Sequence, residues 1–304
     1  MSSTGDGDDP LLTAFVEERP VLVGLAYRIT GSRVEAEDIV QEAWLRARRA
    51  DVSAIDRPGA WLTTVVSRLA LDHLRSARHR RETYVGPWLP EPVVGPDAWI
   101  AGGDPSDAAE LAESVTYGFL QVLETLTPVE RVVFLLADVF DVPFPEIAGI
   151  VDRSPAACRQ VASRARRRMR EGRPRDTAPD DAPAVAYQLF EAMAAGNVDQ
   201  LLSLLAEDAV LVSDGGPDTH AARRPVVGRQ RVARFLVNTT RRLAVPGART
   251  EGAVVNGEPG LVISLQGQPA VTVAVHVAEG AVGAVYVMVN PDKLTALDLR
   301  TPMV

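Results

Sequence analysis

Apolar residues recur every three to four positions along residues 11–82 and 111–169, which predicts two groups of amphipathic helices. Between them, residues 83–110 are rich in Pro, Gly and Asp and show no period, which is typical of a linker. A second segment rich in helix breakers covers residues 171–183. The N-terminal half of the chain is therefore expected to be helical and divided in two.

The pattern changes after the second joint. Helical periodicity over 183–195, 197–206 and 228–243 gives way to short runs of β-type residues, separated at Asn256-Gly257 and Glu279-Gly280 by dipeptides that favour tight hairpin turns. This order predicts helices packed on a curved antiparallel sheet, an α+β domain.

A helix-turn-helix is predicted within the second helical group. Thr127-Pro128-Val129-Glu130 has the residues of a capping box and should begin a helix that ends at Asp141-Val142. A short helix over 143–151 follows, with a turn at Asp152-Arg153 and a third helix that Ser154-Pro155 caps and that runs to about Arg170.

The third of these helices has two different faces. One arc of the helical wheel is apolar and contains Ala157, Cys158, Val161, Ala162, Ala165 and Met169. The other side mixes amide, hydroxyl and guanidinium groups, as a helix that reads the major groove does. The candidate DNA contacts on and beside this helix are Ser154, Arg159, Gln160, Ser163, Arg164, Arg166, Arg167 and Arg168.

The charge distribution supports DNA binding over a merely solvated helix face. The chain carries a net charge of -8, yet nine arginines lie between Arg153 and Arg175 with Glu171 as the single carboxylate. Because partners at i±4 are nearly absent, self-pairing does not account for these arginines, and local charge attracts phosphate whatever the net charge is.

An upstream helix carries an unusual exposed stripe. Ser32-Arg33-Val34-Glu35 is a capping box, and the helix that follows should bury Ala36, Ile39, Val40, Ala43, Trp44 and Ala47. On its opposite side Asp38, Gln41 and Glu42 surround an apolar residue, Leu45. The stripe is either a docking surface for a basic partner helix or a polar face with one exposed leucine.

The next helix, over 57–81, begins at Pro58 and has a basic far end. Its predicted buried residues are Leu62, Val65, Leu69 and Leu74. Its candidate contacts to unpaired DNA are Trp61, Arg68, Arg75, Arg78, Arg80 and Arg81, since aromatic rings and arginines bind single strands. A buried anchor is the competing interpretation of Trp61.

Three blocks in this order, "EAEDIVQEAWLRA", "PGAWLTTVVSRLALDHLRSARHRR" and "LTPVERVVFLLADVFDVPFPEIAGIVDRSPAACRQVASRARRRMR", resemble regions 2 and 4 of the extracytoplasmic function (ECF) sigma factors of the sigma-70 family. The resemblance implies a dissociable subunit of RNA polymerase. The Asp38, Gln41, Glu42 and Leu45 stripe would dock on the polymerase core, the 57–81 helix would open the minus-10 element, and the 154–170 helix would bind the minus-35 element of promoter DNA.

Residues 183–304 resemble the SnoaL-like cone fold, which encloses a pocket for small apolar molecules. "WLPEP" (88–92), "SDGGPD" (213–218) and "NPDKL" (290–294) are similar to motifs of the sigma-factor subgroup that carries this extension, although the second departs from the usual form. By this resemblance the domain regulates the sigma regions, with Asn290, Pro291, Asp292, Lys293 and Leu294 as the regulatory motif touching the linker.

The chain is thus expected to be multidomain, with all-α sigma regions and an α+β SnoaL-like cone domain. The expected boundaries are 1–82 for region 2, 83–110 for a linker, 111–175 for region 4, 176–182 for a second linker and 183–304 for the regulatory domain. Core polymerase, promoter DNA and a small-molecule ligand of the cone domain are the expected partners.

The composition of the chain argues against several kinds of site. One cysteine excludes an internal disulfide framework, and no spaced Cys/His pattern, P-loop or long apolar run occurs. We therefore expect a cytoplasmic protein without metal or cofactor and without enzymatic activity. The candidate acid–base residues of the tail are Asp208, Asp214, Asp218, His220 and His276. The alternative is a helix-turn-helix regulator with a ligand-binding or cyclase/isomerase-like tail.

Overall fold

The computed structural model describes residues 10–51, 55–82, 84–95, 114–172, 181–243, 245–295 and 297, without the side chains of 77–82. These residues form two compact units. The first contains most of residues 10–80 and 122–171, and the second contains residues 84–95, 116–121 and everything described from residue 181 onward. Among the described helices, none combines the length and apolar character that crossing a bilayer requires.

The first unit is helical, as predicted. Ser32 caps the second helix by accepting a hydrogen bond from the Glu35 amide, and Thr127 and Glu130 form the predicted capping box. The helices of the N-terminal half are α1 (Pro10–Thr30), α2 (Arg33–Ala47), α3 (Pro58–Glu82), α4 (Tyr117–Glu124), α5 (Pro128–Asp138), α6 (Phe144–Val151) and α7 (Pro155–Gly172). Residues 117–121 of α4 belong to the second unit, and its last three residues belong to the first.

The helix-turn-helix has the predicted boundaries within one or two residues. Asp141 and Asp152 both adopt positive φ, 48° and 55°, and so end α5 and α6 with the left-handed geometry that Asp tolerates. Ser154 then accepts a hydrogen bond from the Ala157 amide at 3.2 Å and caps α7.

The predicted buried face of α3 was partly wrong. Leu62 and Leu74 are buried, but Val65 and Leu69 are only half-buried, while Val66 and other residues take the central positions. One buried row follows i, i+4 spacing from Leu62 through Val66 and Ala70 to Leu74, and Ser67 and Leu71 form a second buried row beside it.

The second unit is an α+β domain, as predicted. Its helices are α8 (Ala182–Ala195), α9 (Val198–Leu204), α10 (Arg229–Leu243) and α11 (Pro291–Leu294). Its strands are β1 (Leu205–Asp214), β2 (Val226–Val227), β3 (Ala248–Val255), β4 (Glu258–Leu265), β5 (Gln268–Ala278) and β6 (Ala281–Met288). The predicted helix over 197–206 was too long, because β1 begins at Leu205.

The sheet is mixed, not purely antiparallel as predicted. Its strand order is β2-β1-β6-β5-β4-β3, and β1 pairs with β6 in parallel. β3 to β6 are joined by two-residue hairpins with positive φ at both turn residues, including the predicted Asn256-Gly257 and Glu279-Gly280. β1 reaches β6 only through a long connection, which permits a parallel pair.

Both faces of the sheet are buried. On one face, Leu211, Val273 and Val285 pack with helices α8 to α10. On the other, Tyr286 and Met288 pack with Leu89, Tyr117 and Leu294, outside the helical layer. Because successive strand residues point to opposite faces, residues of one strand alternate between the core under the helices and the core on the other face.

Candidate nucleic-acid interface and a buried lysine site

The exposed face of α7 is polar and basic. Cys158, Val161, Ala162, Ala165 and Met169 are buried and anchor the helix. Seven of the eight candidate DNA contacts are exposed, namely Ser154, Arg159, Gln160, Ser163, Arg164, Arg167 and Arg168. Burial raises the pKa of the Cys158 thiol, against the opposing effect of the Arg153 charge, so this thiol is a packing group.

Two of these arginines also hold the helix-turn-helix together. Arg166 is half-buried, and its Nε lies 2.5 Å from Asp138 Oδ1 at the end of α5. Arg168 lies 2.8 Å from Glu130 Oε2. Burial raises the pKa of Glu130, but the hydrogen bonds from Thr127 and the charges of Arg168 and Arg164 outweigh it, and the net shift is downward.

The stripe on α2 is open to solvent. Asp38, Gln41 and Glu42 are exposed, and Leu45 keeps 39% of its accessible surface. Glu42 pairs with Arg46 one turn away at 2.9 Å. Trp44 turns inward and stacks on Phe15 with ring centroids 4.7 Å apart, so the stripe stands on a packed helix.

The candidate minus-10 residues on α3 are in different environments. Trp61 is half-buried, and Arg75 is exposed and lies 3.3 Å from Asp72. Arg68 donates a 2.7 Å hydrogen bond to the carbonyl oxygen of Gly149 in α6. The side chains of Arg78, Arg80 and Arg81 lie outside the described residues.

Further polar contacts join the two helical groups within the first unit. The Arg131 side chain of α5 is 2% exposed and donates to the carbonyl oxygen of Ile29 at 2.9 Å. Arg57, just before α3, lies 2.8 Å from Glu146 of α6. Sequence analysis missed both contacts, because a single arginine inside a helical pattern does not indicate its partner.

In the second unit, the three short motifs predicted from the sequence come together around Lys293. Its ammonium group lies 2.8 Å from Asp214 Oδ2, hydrogen-bonds to the carbonyl oxygen of Leu89, and is 4.1 Å from the centroid of the Trp88 ring. The Asp214 side chain is fully buried. The contact is therefore a desolvated ion pair covered by an aromatic ring.

The remaining acceptor positions of Asp214 are also used. Oδ1 accepts hydrogen bonds from the Tyr84 hydroxyl at 2.6 Å and from the Gly216 amide at 3.0 Å, and Oδ2 accepts one from the Leu89 amide at 2.8 Å. Asn290 donates to Tyr84 Oη at 2.9 Å. Burial, and then the Asp214 carboxylate, raise the pKa of Tyr84. Tyr84 carried no signal in the sequence, because it precedes the recognised motif.

A cavity lies on the opposite, helix-covered face of the sheet. It has an apolar inner chamber of about 140 Å³, lined by residues of α8, α10 and the sheet, and a wider outer chamber of about 720 Å³ at the loop after β1. Asp218, His220, Arg223 and Arg242 line the outer chamber. The regulatory motif does not line either chamber.

Comparisons with known proteins identify the family. Residues 15–80 match the family model of Sigma-70 region 2, and residues 118–169 match that of Sigma-70, region 4. The ECF RNA polymerase sigma factor SigJ of Mycobacterium tuberculosis is 44% identical over 303 residues, which cover 95% of each chain. This chain belongs to the ECF sigma factors.

Two further comparisons extend over the whole sigma factor. The probable ECF RNA polymerase sigma factor SigI of Mycobacterium tuberculosis is 34% identical over 295 residues, covering 95% of this chain and 96% of that one. The crystal structure of Mycobacterium tuberculosis SigJ matches with a TM-score of 0.74 and 40% identity, over 95% of this chain and 100% of the other. The family and fold class predicted from the sequence are confirmed.

The five candidate acid–base residues of this sigma factor are divided, with three away from the cavity and two in its outer chamber. Asp214 is held by Lys293, and His276 Nδ1 lies 2.9 Å from Glu258 Oε1, with neither residue lining a chamber. Asp208 is exposed on β1. Only Asp218 and His220 line the outer chamber, and both are exposed.

Proposed function

We propose that this sigma factor binds core RNA polymerase and promoter DNA, with α2, α3 and α7 as its contact helices. The observation that carries the proposal is the face of α7. It presents Gln160, Ser163 and Arg164 to solvent near the start of a helix whose other face is buried. Side chains in this position of a helix-turn-helix reach base edges, and arginines further along the helix meet phosphates.

The α2 stripe is the proposed polymerase contact. Asp38 and Gln41 are exposed and Leu45 adds an apolar centre, so the stripe combines the acidic and apolar character that fits a basic partner helix. The ECF relatives are named as RNA polymerase sigma factors, which supports core polymerase as the partner.

Charge reversal on α2 tests this contact. Asp38→Arg and Leu45→Glu should each abolish co-purification with core polymerase and promoter-specific transcription, without lowering the melting temperature, since both positions are exposed. Val16→Glu is the matched control, because Val16 is also an exposed apolar residue, on α1. Unchanged core binding by both α2 variants would contradict the docking stripe.

On α3, the proposed task is to hold the unpaired minus-10 strand. Arg75 is exposed and Trp61 is partly accessible, and stacking of a base on an aromatic ring contributes about 1–3 kcal/mol. Promoter opening of this kind needs binding energy alone and no nucleotide hydrolysis.

Simultaneous binding of both promoter elements requires the first unit to open. Elements centred at minus-10 and minus-35 are about 85 Å apart, at roughly 3.4 Å per base pair. In the structure, α3 and α6 are joined by the hydrogen bond from Arg68 to Gly149 and by the nearby Arg57–Glu146 pair. If α3 and α7 bind these two elements, both contacts must break on the promoter, and we propose that the structure represents a closed state of the sigma regions.

The C-terminal domain is the proposed regulator of these regions, and we propose no catalytic role for it. The Lys293 site supports the regulatory role, because it holds residues 84–89, part of the segment between regions 2 and 4, against the domain. Asp214 and His276 pair with Lys293 and Glu258 outside the cavity, which supports a structural role for these two residues, whereas Asp218 and His220 line its outer chamber.

Truncation tests the regulatory role. Transcription by the full chain is compared with that of chains ending before Asn290 and before Pro183. The first truncation removes Lys293 and so releases residues 84–89, and its activity should differ from that of the full chain. Equal activity of all three chains would remove the regulatory proposal.

A further inference from the structure

The two chambers of the cavity in the second unit adjoin each other. Phe235, Thr239, Leu243, Val271 and Val287 line both of them. A molecule in the cavity can therefore extend from the apolar inner chamber between α8, α10 and the sheet into the outer chamber. The structure thus provides one elongated site with two chemically different ends.

The inner chamber fits an apolar ring or a short alkyl chain. Phe190, Met193, Leu261 and Ile263 line it together with the shared residues, and its polar groups are threonine hydroxyls. Its volume of about 140 Å³ is close to the roughly 150 Å³ of a dry apolar cavity that holds benzene in another protein. Filling such a chamber removes apolar surface of both ligand and protein from water, which is favourable.

The outer chamber has a cationic wall. Arg223 of the loop after β1 and Arg242 of the last turn of α10 both line it, and among the residues that the structure describes Asp218 is the one carboxylate that does so. Neither arginine forms an ion pair with any other part of the chain that the structure describes. Guanidinium groups bind carboxylates well, because their donors form a planar fork.

Arg242 could be present only to stabilise the end of α10. Its neighbour Arg241 lies in the same helical turn and allows this explanation to be compared with a role in the cavity. Cations in the last turn of a helix interact favourably with its dipole, which explains Arg241 and Arg242 equally. Only Arg242 lines the cavity. A function specific to the cavity therefore belongs to Arg242 and not to its neighbour.

From this arrangement we infer that the C-terminal domain binds a small amphipathic monocarboxylate, with its ring or alkyl chain in the inner chamber and its carboxylate at Arg242 and Arg223. The inference concerns binding by the domain and goes beyond the proposed role in transcription. It stands or falls on measurements made without polymerase or DNA, so its failure is distinguishable from a failure of the proposed function.

Three probes that share one apolar body test the inference, namely 4-phenylbutanoate, 4-phenylbutan-1-ol and 4-phenylbutylamine. Isothermal titration of the full chain should show the strongest binding for the carboxylate, with about tenfold weaker binding of the alcohol, since a charge-assisted hydrogen bond contributes about 1.5–3 kcal/mol. The amine should bind more weakly than the alcohol. Equal affinities of the three probes, or no binding of the carboxylate at millimolar concentration, would overturn the inference.

Variants then locate the two ends of the ligand. Arg242→Gln should lower the affinity for the carboxylate about tenfold and leave that for the alcohol unchanged, whereas Arg241→Gln should change neither. Ile263→Trp fills the inner chamber and should abolish binding of all three probes. Should that variant fail to fold, hydrogen exchange of the native chain gives the same information, because the carboxylate should slow exchange in α10 and β4. Equal effects of the two arginine variants, or protection confined to other elements, would contradict the site.

Discussion

Lys293 is the only lysine among the 32 basic residues of the chain, and its ammonium group lies in the buried contact with Asp214. An ammonium group is compact and can donate three hydrogen bonds from one point. It reaches the Asp214 carboxylate and the Leu89 carbonyl oxygen while lying over the Trp88 ring. The pair therefore connects α11, β1 and residues 88–89 through a single group.

Removal of the lysine should loosen this connection more than removal of the whole pair. Lys293→Met leaves the Asp214 carboxylate buried and unpaired, which typically costs 3–5 kcal/mol for a buried pair. Because Asp214 also accepts from the Leu89 amide, hydrogen exchange of a peptide containing Leu89 should become at least tenfold faster. Combining Lys293→Met with Asp214→Asn should recover part of the protection, and a double variant no better protected than the single one would contradict the account.

Glu258 should make the free energy of unfolding of the C-terminal domain depend on pH. Its carboxyl group is buried, and burial raises its pKa above the usual 4.5, although the hydrogen bond between Glu258 and His276 acts in the opposite direction. A carboxyl group with a raised pKa in the folded state holds its proton more tightly there than in the unfolded chain. Its stabilising contribution is complete below pH 4.5 and is lost as the pH rises through the folded-state pKa.

Glu258→Gln should therefore become more stable relative to the native chain as the pH increases above 4.5. The difference in melting temperature between the two proteins, measured across a pH series by circular dichroism, should grow in favour of the variant. Glu251→Gln is the control, since Glu251 is exposed on β3. A difference that shrinks with rising pH would show that the ion pair with His276 dominates over burial.

At the scale of elements, the proposed DNA contacts of α7 divide into residues expected to read bases and residues expected to contact the phosphate backbone. Gln160→Ala and Arg164→Ala should each cost about 1–3 kcal/mol on the preferred minus-35 sequence and relax specificity at one position. Arg167→Ala, further along the exposed face, should weaken binding to all sequences and reduce the salt dependence by about one ion. Holoenzyme binding to a set of minus-35 variants at several salt concentrations measures both effects.

The control for this helix is Arg48→Ala, which removes an exposed arginine at the end of α2. It should change neither the specificity for the minus-35 sequence nor the salt dependence of binding. Equal losses on every sequence for Gln160→Ala and Arg164→Ala would assign both residues to phosphate contact. Arg166 and Arg168 are unsuitable for this test, because they also pair with Asp138 and Glu130 within the helix-turn-helix.

Elements defined by local chemistry could be predicted from the sequence, whereas elements defined by distant partners could not. The Thr127 capping box, the turn at Asp152 and the Asn256-Gly257 hairpin each follow from a few neighbouring residues, and all three are present. The parallel pairing of β1 with β6 depends on residues about 75 positions apart, and no local pattern encodes it.

Distant partners also determine the structure of residues 84–95, which include "WLPEP". This segment has no periodicity because it is neither helix nor strand, yet Leu89 and Val93 are buried in the second unit. Val93 is held by hydrogen bonds in both directions with Asn256, which the sequence indicated only as a turn residue. The candidate surfaces of α2 and α7 were predictable because a helical wheel needs no distant partner, while the contacts of Arg131 and Lys293 were not.

At the scale of the whole molecule, the proposed closed state depends on several polar contacts between regions 2 and 4. The Arg57–Glu146 pair is exposed, so solvent and salt screen it and it contributes little. The buried Arg131 side chain contributes more, because it spans Ile29 of α1 and Glu124 of α4 with no solvent to replace its hydrogen bonds. Polymerase can open such an arrangement when the contacts it makes with each region separately exceed the sum of these contacts.

Binding to core polymerase should therefore separate α3 from α7. Ser76 and Ser163 are exposed on these helices, and a Ser76→Cys/Ser163→Cys variant in a Cys158→Ala background accepts one dye at each position. Energy transfer between the dyes should be high in the free protein and fall sharply on addition of core polymerase and promoter DNA, since the two helices then bind promoter elements about 85 Å apart. In the same labelled protein, Asp38→Arg should prevent the fall, because it removes the docking contact and leaves the closed state unchanged. Low energy transfer in the free protein, or high transfer that persists on core polymerase bound to promoter DNA, would contradict a closed state that polymerase opens.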